Sequence, residues 1–163
     1  MKSEVSICWL RRDLRLNDQT ALYHALNSEY PVLLVFIFDP LILDKLTDKK
    51  DKRVKFIHDA LENINKEIAK TGSSLYILHA DPIAAFQQVC NEFTVKGVFT
   101  NHDYEPYAND RDGQIAAFLE PQNIPFKTFK DQVIFEKDEV LKDDGKPYTI
   151  FTPYSKKWKA KLD

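Results

Sequence analysis

Seven consecutive apolar residues, Val32 to Phe38 (VLLVFIF), constrain the fold more than any other feature of the chain. Successive side chains of a strand point to opposite faces, so a strand with one wet face alternates apolar and polar residues. An unbroken apolar run belongs instead to a strand covered on both sides, as in a parallel sheet packed between helices.

Other segments extend the pattern. VSICWL (5–10), SLYILHA (74–80) and GVFTN (97–101) read as further strands. PFKTFKD (125–131) alternates, which suits an edge or one-sided strand. Between the strands the apolar period changes to that of a helix. Asp18 is expected to cap QTALYHALNSE, with Ala21, Leu22, Ala25 and Leu26 on the inner face. Val54, Ile57, Leu61, Ile64 and Ile68 are spaced 3, 4, 3 and 4 apart, and Gly72 is placed to end that helix. Asp81-Pro82 opens a third helix. A fourth spans 106–119.

This alternation predicts an α/β fold, a doubly wound, Rossmann-like sheet of five parallel strands in the order 3-2-1-4-5, with helices on both faces. Such sheets bind ligands outside the carboxyl ends of their strands, where the strand order reverses. Here that rim comprises Leu10–Arg11, Phe38–Asp39 and Asn101–Tyr104.

At 163 residues the chain suits one core. Residues 1–131 are assigned to the α/β domain. Residues 132–163 lose the pattern and read as an extension and the start of a linker, with exposed-looking Tyr148, Phe151, Tyr154 and Trp158 among lysines. These rings are expected to pack on something beyond the chain. The net charge of −2 is uneven: residues 151–163 carry four lysines against Asp163, so the first 150 sum to −5. A domain of that sign has no general attraction for a polyanion.

No apolar run approaches a bilayer span, and the N-terminus MKSEVSICWL lacks a signal-peptide layout, so a cytoplasmic location is expected, with no membrane partner. Cys8 and Cys90 are expected to be buried thiols. His24, His58, His79 and His102 have no metal-ligand spacing. The four glycines stand too far apart for a dinucleotide fingerprint or a P-loop, and no nucleophile–histidine arrangement is legible. That leaves the segment CWLRRDLRLNDQTAL (8–22), which masses three arginines and two aspartates where the first strand meets the rim. Arg11, Arg12 and Arg15 are expected to pair with Asp13, Asp39 or the Asp103–Glu105 carboxylates and lock the loop.

CWLRRDLRLNDQTAL, VFIFDP, NHDYEPYANDRD and DGKPYTIFTPYSKKW, in that order, resemble the N-terminal α/β domain of the photolyase/cryptochrome family. Gln19-Thr20 departs from the family pattern, which usually has an Asn after the aspartate. The resemblance implies a parent that continues into a helical domain carrying FAD and binding damaged DNA. It further implies a deoxyribodipyrimidine photolyase, a carbon–carbon lyase that repairs cyclobutane pyrimidine dimers, or alternatively a cryptochrome photoreceptor. By itself this chain would lack the catalytic half, and it is expected to be monomeric. In such a domain an antenna chromophore feeds excitation to the flavin. Folate-type antennae use an Asn-Glu pair where this chain has Tyr107-Ala108, so the resemblance favours a deazaflavin or FMN. It assigns Phe36, Ile37 and Phe38 to the ring's walls, Arg53 across it, and Asp103 and Glu105 as hydrogen-bond acceptors. A free-standing nucleotide-binding α/β module is the distant alternative.

Overall fold

The structure, a computed structural model, describes residues 2–48 and 50–162. The chain divides into two compact units, 1–129 and 130–163.

The first unit is a five-stranded parallel sheet in the order β3-β2-β1-β4-β5. Its strands are β1 (Glu4–Leu10), β2 (Val32–Phe38), β3 (Tyr76–His79), β4 (Thr94–Asn101) and β5 (Phe126–Phe129). Its helices are α1 (Thr20–Leu26), a single turn α2 (Pro40–Leu43), α3 (Lys52–Ala69), α4 (Pro82–Glu92) and α5 (Pro106–Leu119). The register pairs Cys8 with Leu34 and with Phe99, so the apolar strands lie at the sheet's centre.

Alternation along each central strand feeds two cores. Ile7, Trp9, Val35, Ile37 and Val98 pack with Phe86 and Val89 of α4 and Ile115 and Leu119 of α5. Cys8, Leu10, Leu34, Phe36 and Phe99 pack on the other face with Ala21, Leu22 and Ala25 of α1 and Leu61, Ile64 and Ile68 of α3. Each face needs its own apolar set, which is why the run Val32–Phe38 is unbroken. Each large side chain fully buried this way contributes about 1.5–3 kcal/mol by removal from water.

Several local expectations change. Helix α1 is capped by Gln19, whose Oε1 accepts from the Leu22 N–H at 2.5 Å. Asp18 instead sits at φ +52°, its carbonyl accepting from the Arg15 guanidinium. Leu26 is 64% exposed and lies off the inner face. Strand β4 begins at Thr94, three residues earlier than its apolar run suggests, because Thr94 and Val95 pair with Glu4 and Val5 before a register shift. Cys8 is fully buried, while Cys90 is half-buried. Burial raises both thiols above their ordinary range.

Gly72 ends α3 at φ +78°, a conformation that L side chains rarely adopt, and lets the Ser73 N–H return to the Ile68 carbonyl at 3.2 Å.

The second unit is more ordered than its sequence implies. Helix α6 (Phe151–Leu162) forms within it, with Trp158 edge-on to Phe135 at 5.5 Å between centroids. Ion pairs Lys130–Glu139 and Lys157–Asp143, each at 2.8 Å, fasten its loop residues. Among the described residues no helix is long and apolar enough to cross a membrane.

Candidate functional site

The loop after β1 is fastened through Asp13. Its Oδ1 accepts from the Arg11 N–H at 2.9 Å. Its Oδ2 accepts from Gln19 Nε2 at 2.7 Å and Asn101 Nδ2 at 2.6 Å. Asn101, at the end of β4, also accepts the Ala21 N–H at 2.9 Å. One carboxylate thereby joins β1, α1 and β4.

The arginines divide differently from the sequence expectation. Arg12 does meet Asp103 (3.5 Å) and Glu105 (2.7 Å). Its bond to Glu105, aided by Asp103, tightens its hold on its proton. Arg11 turns instead to Asp112 of α5, with Nη1 2.7 Å from both carboxylate oxygens, and its Nη2 donates to the Asn101 carbonyl. Burial pushes the Arg11 guanidinium down and the Asp112 charge opposes that shift. Arg15 serves the Asp18 carbonyl. Asp13 pairs instead with the side-chain amides of Gln19 and Asn101. Asp39 takes no arginine either: it caps α2 through the Leu41 N–H at 2.9 Å and accepts the Tyr107 hydroxyl. Burial, and then that bond, raise the Tyr107 phenol well above the ordinary tyrosine range.

Above these anchors, at the carboxyl ends of β1 and β2, opens a cavity of about 350 Å³. This lies within the size range of small-molecule sites. Phe36, Ile37 and Phe38 line it, as do Asp103 and Glu105. Phe36 stands edge-on to Phe38 at 4.9 Å. Phe36 thus belongs to both the core and the wall. The Asp103 side chain is only 9% exposed, and its partners are distant: Arg12 at 3.5 Å and the Glu105 N–H at 3.4 Å. That carboxylate retains acceptor capacity toward the cavity. Glu105 is 60% exposed and occupies the N-cap position of α5 without a side-chain cap bond.

Arg53 is not brought into this cavity. It is 75% exposed, holds Asp51 at 2.6 Å, and lines a shallower neighbouring groove with Arg12, Lys52 and Phe56. Its partner carboxyl falls to about 2, led by the Arg53 hydrogen bond.

Sequence reasoning missed Trp9, Asp39, Tyr107 and Arg111 as wall residues. Asp39 and Tyr107 carried a signal, one as a rim carboxylate and one as a departure from the folate pattern. Trp9 and Arg111 carried none, being a strand residue and a mid-helix cation. Among the described residues no group of three or more His, Cys, Asp or Glu is placed to hold a metal.

A doubly wound parallel sheet with a mainly apolar cavity that also carries charged residues at its switch point is the arrangement in which α/β domains hold ligands. The family model described as DNA photolyase matches residues 6–163. The chain belongs to that family and corresponds to its N-terminal α/β domain. It is 34% identical over 152 residues to a deoxyribodipyrimidine photo-lyase of Synechococcus sp. (strain ATCC 27144 / PCC 6301 / SAUG 1402/1), covering 93% of this chain and 31% of that protein. It is similar to an archaeal photolyase from Sulfolobus tokodaii solved with two FAD molecules, at 27% identity and a TM-score of 0.76, over 94% of this chain and 34% of that one. A cryptochrome of Synechocystis sp. PCC6803 shares the fold, with a TM-score of 0.81 at 18% identity, over 99% of this chain and 34% of its own. The chain therefore spans about a third of the length of each. The family match leaves no ground for an unrelated nucleotide-binding module.

Proposed function

We propose that this chain is the antenna domain of a light-driven DNA photolyase and that its rim cavity holds a flat, flavin-class chromophore. The observation carrying this reading is a cavity that combines aromatic and aliphatic walls with one nearly buried, under-partnered carboxylate, Asp103. Flat heteroaromatic rings need both: apolar faces to exclude water and a few polar groups to fix orientation.

Phe36, Ile37, Phe38 and Ile42 supply the walls. Asp103 accepts a ring N–H, and Arg12, held by Glu105, closes the ionic edge. Arg53 stands in the adjoining groove, where it meets a substituent leaving the cavity rather than the ring itself. Such a chromophore absorbs light and passes the excitation on by dipole coupling. This chain's task is to hold it at a fixed orientation, which the Asp13 and Arg11–Asp112 anchors beneath the cavity achieve. The parent's FAD, its damaged DNA and the repair of cyclobutane pyrimidine dimers belong to this proposal, with the catalysis assigned to a helical domain.

The test is retention. After incubation with FMN, a deazaflavin or a folate and removal of free ligand, a shifted absorption band is expected for the first two and not for the folate. Retention of none sinks the antenna reading. A cryptochrome parent requires the same cavity; a blue-light dimer-repair assay on the whole protein separates the two, because a photoreceptor leaves the dimers intact.

A further inference from the structure

Trp9 and Tyr107 are the readily oxidised rings lining the cavity among the described residues, and both stand beside fixed cations. The guanidinium carbon of Arg111 lies 4.8 Å from the Trp9 ring centroid and that of Arg11 lies 5.1 Å away. Arg111 and Lys45 stand 5.8 and 5.7 Å from the Tyr107 ring. The two arginines beside Trp9 share one carboxylate, Asp112, at 2.7 and 2.9 Å. The two guanidiniums and the carboxylate they share sum to +1, with Asp13 a further anion near Arg11. These three and the indole are shielded from water: the side chains of Arg11, Arg111 and Asp112 are 8%, 9% and 16% exposed, and Trp9 is 2% exposed.

We propose that Arg11 and Arg111 hold Trp9 resistant to one-electron oxidation, so that a chromophore seated in the cavity keeps its excited state. This rests on the antenna reading and adds a role that reading does not supply. An excited flavin-class ring is a strong oxidant, and an indole at its edge is a ready donor. One electron would pass from Trp9 to the excited ring and then return, with no net chemistry and with the excitation lost as heat. The intermediate state places a positive charge on the indole. Beside two guanidiniums at low dielectric that charge is strongly disfavoured, whereas the neutral indole is stabilised by the same cations. Both effects raise the energy of the quenched state. An antenna needs this protection because it must survive long enough to transfer its energy.

Two measurements test it, and they fail independently of each other. The first is the fluorescence lifetime of FMN bound to the chain. Arg111→Gln is expected to shorten the lifetime severalfold, Arg111→Lys to recover most of it by restoring the charge, and Trp9→Phe in the Arg111→Gln background to recover it at least in part. An unchanged lifetime in Arg111→Gln overturns the inference. Arg111→Met, which keeps the apolar stem, serves if the glutamine variant does not fold. The second needs no chromophore. Voltammetry of Trp158→Phe, in which Trp9 is the remaining tryptophan, is expected to show a higher oxidation potential than the same chain carrying Arg111→Gln. Equal potentials overturn the inference even if FMN is retained. Failure to retain FMN would count against the antenna reading and leave the voltammetry to decide the charge effect.

Discussion

Asn101 donates to Asp13 at 2.6 Å across 88 positions of chain, tying the end of β4 to the loop that leaves β1. The same Asp13 oxygen accepts from Gln19 at 2.7 Å. Two amides therefore depend on one carboxylate for their acceptor.

Removing that carboxylate has a calculable effect. Asp13→Ala leaves the Asn101 and Gln19 amide donors without this acceptor; both residues are about 4% exposed. A buried donor stripped of its partner costs about 1–3 kcal/mol, so a total of about 2–6 kcal/mol is expected for the two. Arg15→Ala, by contrast, removes exposed bonds to a carbonyl and should cost about 0–1 kcal/mol. Urea denaturation of the two variants checks the contrast, and equal losses would contradict it.

The Tyr107–Asp39 bond predicts a pH dependence. Tyr107 in the folded chain holds its proton above the ordinary tyrosine value of 10.0, first through burial and then through Asp39. The unfolded chain releases that proton at the ordinary value. The stabilisation is thus complete below about pH 10 and is lost progressively as pH rises past it toward the folded value. Between about pH 9 and about pH 11 the native chain should lose more stability than Tyr107→Phe, as read from paired denaturation curves. Parallel slopes would contradict the assignment.

Phe36 serves the core and the cavity together, and its truncation should report both. It is 6% exposed, packed among Leu34, Leu61 and Phe99 on one side and edge-on to Phe38 on the other. Phe36→Ala is expected to destabilise by about 3–5 kcal/mol. Phe38→Ala, at a less buried position nearer the cavity mouth, should cost less stability while still weakening flavin retention. Thermal melts and retained absorbance, measured on the same samples, separate the two roles.

The framework was legible for a physical reason. Strands covered on both faces must be apolar throughout, so VSICWL and VLLVFIF announce themselves, and the order of strands then follows from right-handed crossovers. Where the chain departs from expectation, a polar group outweighs propensity. Gln19 takes the cap because its backbone is extended at φ −121°, as a cap requires, whereas Asp18 turns at φ +52°. Strand β4 starts early because Thr94 and Val95 pair with Glu4 and Val5, and Lys96, which breaks its apolar run, reaches Glu4 at 2.7 Å. The site was less legible. Phe36 to Phe38 and the Arg12–Asp103–Glu105 edge lie next to recognisable strand ends. Arg111 and Asp112 sit inside α5 among other polar residues, and only the fold brings them beneath the β1 loop, 101 positions from Arg11 in the case of Asp112. Spacing along the sequence carries no trace of such a meeting.

Asp103 and Glu105 offer a last contrast, because similar chemistry meets different solvent. The Asp103 carboxylate is 9% exposed, whereas that of Glu105 is 60% exposed. A hydrogen bond from a ligand N–H to a charged acceptor is worth about 1.5–3 kcal/mol when water is excluded. Asp103→Asn leaves an amide whose nitrogen meets the ligand's donor in one orientation and whose oxygen is uncharged in the other. Flavin affinity is therefore expected to fall by about tenfold to a hundredfold. Glu105→Gln loosens Arg12 through an exposed ion pair worth about 0–1 kcal/mol, so its effect should stay within about fivefold. Equilibrium dialysis of FMN against both variants measures the ratio. Glu105 outranking Asp103 would place the ligand outside the cavity, against the exposed edge.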